Sequence, residues 1–140
     1  MWWFRKEEPK DIWDEEIKWP IGDIEAAERI RNICRSAADS AEAVGGRAVF
    51  ADGGGQKAKK TKKPQRDSGR DAERYERAAR CAMQIALKVC DDLMRDAAVG
   101  QIVDLCLKAN DLRTARVLFR AIQADSIRED VLKQHPALRQ

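Results

Sequence analysis

Histidine occurs once in this chain of 140 residues, as does tyrosine. The single histidine, His135, stands just before Pro136 near the C-terminus. General acid–base and metal chemistry needs such groups gathered and held by a rigid surround, so His135 is read as an incidental surface residue. Long apolar runs are missing too. The longest uncharged stretches, Cys81–Leu87 and Ala97–Val103, have seven residues each, whereas a membrane-spanning helix needs about 20. The opening MWWFRKEEP turns charged after four residues and lacks the apolar stretch of a secretory signal. A cytoplasmic location is therefore expected. No GxSxG and no HExxH occurs. Gly53–Gly55, although followed by lysines, lacks both the GK[ST] ending and a preceding strand that would make a phosphate loop. Cys34, Cys81, Cys90 and Cys106, at intervals of 47, 9 and 16 residues, match no zinc pattern. They suit the apolar sides of helices as small hydrophobes. Asp91-Asp92 and Glu15-Glu16 are adjacent in sequence, so each pair points to different sides of a helix, with Asp92 suited to a helix junction. The expectation is a protein that is not an enzyme and carries no cofactor and no metal.

What the chain does have is 36% charged and 44% hydrophobic residues, the balance of a helix-rich globular protein. Residues 1–20 hold all four tryptophans, Trp2, Trp3, Trp13 and Trp19. Pro9 and Pro20 bracket a short helix there, with Ile12, Trp13 and Ile17 on one face. Within 21–46, Ile30, Ile33, Cys34, Ala37, Ala41 and Val44 recur at helical spacing from Asp23 onward, and Glu25 can pair with Arg29. Gly45-Gly46 is expected to end that helix. Residues 47–69 read as a flexible Gly/Lys-rich loop, and Ser68 with Asp71 as a capping box for the next helix. That helix is expected to run to about Asp92, carrying Tyr75, Ala78, Ala82, Ile85 and Val89 on its apolar side. Further helices are expected at Arg95–Ala109, Leu112–Ala124 and Ser126–Gln134, making 70–140 a helical-hairpin region. The fold class is all-α: one domain of five to six helices in antiparallel hairpins, a bundle or a short α-solenoid, with a basic loop.

The basic charge is local. Between Gln56 and Arg70 stand seven basic residues and one acid, Asp67, a net +6 that leaves −3 for the rest. Lys57, Lys59, Lys60, Lys62, Lys63 and Arg66 could neutralise phosphates. No aromatic is interleaved to stack bases, so a solubilising linker competes with weak nucleic-acid contact.

Two phrases echo: GDIEAAERI, Gly22–Ile30, and NDLRTARVL, Asn110–Leu118. Both are expected to open the second helix of a hairpin. A shift of 33 residues lays Asp92–Val99 over Asp125–Leu132, and Ala82, Ile85 and Val89 over Ala115, Leu118 and Ile122. Chance packing of amphipathic helices and true repeat ancestry both give such an echo, and both bury the same residues. Asn110–Phe119 resembles the turn and second helix of tetratricopeptide-like helical hairpins. Asn110-Asp111 stands where a Gly-Asp turn is usual, Ala115 at a small position and Phe119 at an aromatic one. The chain departs from that pattern at Val99, Val103 and Ile127, and at Arg31 in the earlier phrase. The resemblance implies binding of another protein or peptide on the hairpin's first helix, at Ala97, Gly100, Asp104 and Leu107 with Lys108 beside them.

The tryptophan cluster has three uses in view: a lid over the helical stack, a partner hook through Trp2 and Trp3, or an interfacial membrane anchor. The chain thus reads as a protein-interaction module or adaptor, with a nucleic-acid accessory protein as the alternative. A homo-oligomer is left open.

Overall fold

The computed structural model describes residues 11–14, 16–53 and 64–139, excluding the side chains of residues 47–53 and 64–68. Five α-helices make up the described part: α1 (Asp23–Gly53), α2 (Pro64–Ala86), α3 (Asp92–Lys108), α4 (Leu112–Ala121) and α5 (Asp125–Gln134). Single 3-10 turns flank them at Ile12–Asp14 and Pro136–Arg139, and the described residues contain no strand. The all-α expectation holds.

Successive helices alternate in direction. Ser40 of α1 meets Asp71 and Arg74 near the start of α2, while Asp23 meets the turn that follows α2. The α3 helix runs parallel to α1, α4 returns along α3, and α5 lies beside α3 through Ile127 and Val131 opposite Gly100. The core is therefore centred on α3. Its Ala98, Val99, Ile102, Val103, Leu105 and Cys106 are all buried, covering most of the helix circumference. A helix apolar nearly all round has no solvent face to spare, and packs against neighbours on several sides. Burying each of its larger side chains stabilises the fold by about 1.5–3 kcal/mol.

Several boundaries differ from those read in the sequence. The α1 helix continues through Gly45-Gly46 to Gly53. Gly45 is buried and serves close approach: a Cβ there would run into the carbonyl oxygen of Lys108 on α3. The α2 helix begins at Pro64, so Ser68 and Asp71 lie within it and do not cap it. Proline suits a first helical position because its missing N–H would be unpaired there anyway. Both extensions shorten the loop expected over 47–69, and residues 54–63 lie outside the described residues. At its other end α2 stops at Ala86, before Asp92. Its last turn tightens through Lys88 N–H to Ile85 O and Val89 N–H to Ala86 O. Of the helix expected near the N-terminus, the described residues show the single 3-10 turn Ile12–Asp14, and residues 16–20 are not helical. The phrase Asn110–Leu118 does open the second helix of the α3–α4 hairpin, but Gly22–Ile30 opens α1, the first helix of its own.

Aspartates organise the chain reversals. Asp91 caps α3 by accepting from Met94 N–H at 2.9 Å, and Asp111 caps α4 by accepting from Thr114 N–H at 3.2 Å. Asn110 has φ 60°, the left-handed conformation that closes the end of α3. Two further aspartates clamp turns at a distance. The Asp23 carboxylate accepts from Cys90 and Asp91 N–H, both at 2.9 Å. Oδ2 of Asp96, which is 2% exposed, accepts from Gln123 and Ala124 N–H at 3.0 and 2.8 Å. The clamped amides lie 33 positions apart, in the register of the sequence echo.

Candidate functional site

A concave surface lies between α1, α2 and the N-terminal segment. That segment is laid on α2 by ion pairs: Arg74 Nη1 to Asp11 at 2.5 Å, and Arg77 Nη2 to Asp14 at 2.8 Å. Arg74 also donates to Ser40 at 2.9 Å, and its guanidinium sits 5.0 Å from the centre of the Trp13 ring. Trp13 is buried at 6% exposure, while its indole N–H finds no partner. Ile12 and Ile17 are half-buried against the same core. All three apolar residues pack against the core, without the single helical face that the sequence predicts.

This placement leaves a cleft of about 550 Å³ whose floor is Ile12, Ile17, Ile33, Cys81 and Ile85. Its rim, from α1, carries Glu25, Glu28, Arg29, Asn32, Arg35 and Ser36. Glu25 and Arg29 pair at 3.3 Å, as the sequence suggested. Ile17, Cys81 and Ile85 also line a second recess of about 280 Å³, with Trp19, Gln84, Leu87 and Lys88. Lys88 lies over the Trp19 ring at 4.9 Å. Trp19 and Leu87 are 41% and 71% exposed, so apolar surface faces water at the mouth of this recess.

The thiols near the core are chemically quiet. Burial, with Asp14 nearby, raises the Cys81 thiol above its ordinary value. Burial, then Cys106 and Asp104, pushes Cys34 up to about 12, and burial pushes Cys106 up to about 11. A thiol held protonated is neither nucleophile nor metal ligand. Tyr75 is also raised, by burial first and then by hydrogen bonds with Cys106 and Asp111. It donates to Asp111 Oδ2 at 2.7 Å. Among the described residues, no group of three or more His, Cys, Asp or Glu is placed to hold a metal ion. No described helix is long and apolar enough to cross a membrane.

The residues singled out on α3 are scattered around the helix. Ala97 is exposed. Gly100 is half-buried facing α5, where a Cβ would come within 3.5 Å of Val131 Cγ2. Asp104 holds His135 Nε2 at 2.8 Å and Lys108 Nζ at 3.4 Å. Leu107 packs half-buried against the core, and Lys108 is exposed. His135 is consequently a half-buried tie, correcting its reading as an incidental surface group. It fastens the end of α5 to α3, next to the buried Leu138 of the last turn. Cys90, placed with the apolar set, is exposed. Trp2, Trp3, Lys57, Lys59, Lys60, Lys62 and Lys63 lie outside the described residues. Arg66 lies in α2 with its side chain outside them.

The cleft was missed in the sequence because its walls come from three separate stretches. Trp19 and Leu87 carry no sequence signal that sets them apart from the tryptophan cluster and the uncharged run to which they belong. Set against protein-family models, curated proteins and solved structures, the chain matches none.

Proposed function

We propose that this chain is a non-catalytic helical interaction module that receives an apolar segment of another protein. The observation that carries this reading is the α1–α2 cleft with its isoleucine floor, continuous with the exposed Trp19 and Leu87. A helix or extended peptide laid there would bury its apolar residues between charged rims, the usual anatomy of a small recognition groove. Protonated, buried thiols give no support to nucleophilic chemistry at the same surface. The tetratricopeptide-like kinship remains a proposal alongside it. It is supported by the 33-residue register in which Asp23 and Asp96 each clamp a turn ahead of the next helix. In that reading α5, whose exposed residues are mainly polar, acts as the end cap of a short stack.

The test is affinity capture from the native host with three forms of the chain: intact, Trp19→Ser/Leu87→Lys, and glutamine at Lys57, Lys59, Lys60, Lys62 and Lys63. The expected outcome is a partner retained by the intact and glutamine forms and lost by the Trp19/Leu87 form. Loss in the glutamine form alone, with binding that weakens steeply in salt, would assign the lysine segment to nucleic acid and sink the proposal.

A further inference from the structure

Away from the cleft, cations collect on the outer side of α4. That helix carries Arg113, Arg116 and Arg120 and no acid, although the chain outside Gln56–Arg70 is net −3. Its buried residues Ala115, Leu118 and Phe119 fix the inner side. At about 3.6 residues per turn, Arg113, Val117 and Arg120 then fall together on the opposite side. All three are exposed, Val117 to 58%.

Beside this stripe lies a groove of about 220 Å³ between α2 and α4. Ala79, Met83 and Leu118 give it an apolar lining, and Glu76 and Arg80 come from its α2 side. Val117 stands one turn on from Thr114, which also lines the groove, so the exposed stripe forms its α4 lip. Both carboxylate oxygens of Asp111 at the groove are engaged, by Tyr75 O–H and Thr114 N–H. Arg80, Arg113 and Arg120 have no ion-pair partner among the described residues.

We propose that this lip and groove dock an acidic amphipathic helix of a partner protein, with its aliphatic residues on Val117, Met83 and Leu118 and its carboxylates on the arginines. Small-molecule pockets occupy roughly 300–1,000 Å³, so the groove suits side chains of a larger partner. Arg113 and Arg120 are two turns apart, about 10 Å along the axis. Carboxylates seven residues apart on a partner helix have the same separation, and an aliphatic residue midway between them meets Val117. Arginine holds a carboxylate through two parallel N–H donors, which fixes the register of such a helix. A nucleic-acid backbone would leave Val117 without an apolar partner. Tyr75, the one aromatic lining the groove, is buried and stacks no base. The proposal rests on this face alone and is independent of what the α1–α2 cleft binds.

The test is fluorescence anisotropy of the full chain with three labelled probes. One is a helical peptide with leucine on one face and glutamates seven residues apart beside it. The second replaces each glutamate by lysine, and the third is a double-stranded oligonucleotide. The acidic peptide should bind and its lysine copy should not. Arg113→Glu/Arg120→Glu should weaken the acidic peptide about tenfold, and Val117→Asp about fivefold. Circular dichroism of these variants, all at exposed positions, should match the parent, and Trp19→Ser should bind the peptide unchanged. Acidic and lysine peptides bound alike, or neither bound, would overturn the proposal, as would affinity unmoved by Arg113→Glu/Arg120→Glu and Val117→Asp. Loss on Trp19→Ser would move the acidic peptide to the α1–α2 cleft and overturn it too. An oligonucleotide bound more tightly than the acidic peptide, and weakened by the same arginine reversal, would give the face to nucleic acid instead.

Discussion

The two halves of the molecule reach the same helical class by opposite means. The α1–α2 half has the longest helices, of 31 and 23 residues, joined by a long connection and lined by an open cleft. The α3–α5 half has helices of 17, 10 and 10 residues, joined by short turns. In the first half, polar side chains bridge separate stretches: Asp11 to Arg74, Asp14 to Arg77, Ser40 to Asp71. In the second, carboxylates cap the helices and the turns themselves. Short connections fix the spacing of their helices, so side chains can fill the space between completely. In the first half α1 and α2 still pack closely through Ala37, Ala41, Ala78 and Ala82, and the cleft opens where the N-terminal segment lies against them.

Substitutions can break this contrast, and the largest effect is expected in the hub. Ile102 is fully buried on α3, and Ile102→Ala should cost about 4 kcal/mol in urea unfolding. Ile17→Ala in the half-buried cleft floor should cost about 1 kcal/mol, because solvent already reaches that surface. Equal costs would mean that the two halves are packed alike.

The two clamping aspartates sharpen the comparison next. Asp96→Ala strands two backbone N–H groups around a buried site and should cost about 3 kcal/mol. Asp23→Ala releases N–H groups that are exposed, where water takes over, and about 1 kcal/mol is expected. Denaturant midpoints of both variants decide the matter. Arg74→Ala, which gives up Asp11, Ser40 and the Trp13 ring together, should cost about 1.5 kcal/mol. It should also shift tryptophan emission to the red.

High pH gives the gentlest probe. Cys34 and Cys106 keep their protons up to about 12 and 11 when folded, against an ordinary value of 9.0. Their contribution is complete below pH 9, where both states hold the proton. It is lost as the pH rises from about 9 towards 12, because the unfolded chain ionises first. Stability should therefore be level with respect to these thiols up to about pH 9 and then fall. Cys34→Ala/Cys106→Ala should flatten that slope, as thermal melts across the range would show. A thiol reagent near neutral pH should meanwhile label exposed Cys90 well before Cys34 or Cys106.

Much of the fold was legible in the sequence wherever apolar spacing was regular. Ile30, Ile33, Ala37 and Ala41 on α1 are buried as the helical period required, and so are Tyr75, Ala78, Ala82 and Ile85 on α2. Helix ends were less legible, because they depend on tertiary contacts. Gly45-Gly46 has the appearance of a stop until α3 is seen to need a residue without a side chain there. The N-terminal segment carries a helical pattern, yet among its described residues only the turn Ile12–Asp14 is helical. The cleft was least legible of all, since nothing in a one-dimensional pattern brings Ile12, Ile33 and Ile85 together. His135 shows the same limit: near the end of the chain, it becomes a tie only because α5 delivers it to Asp104.

The Asp96 clamp carries a consequence for the order in which the molecule comes apart. Gln123 and Ala124 lie outside any helix, where amide hydrogens ordinarily trade with solvent within seconds to minutes. Here both are held by a carboxylate rooted in the central helix. Their deuterium uptake should follow the opening of that helix, so two linker amides would report the unravelling of the whole C-terminal half as a single cooperative unit.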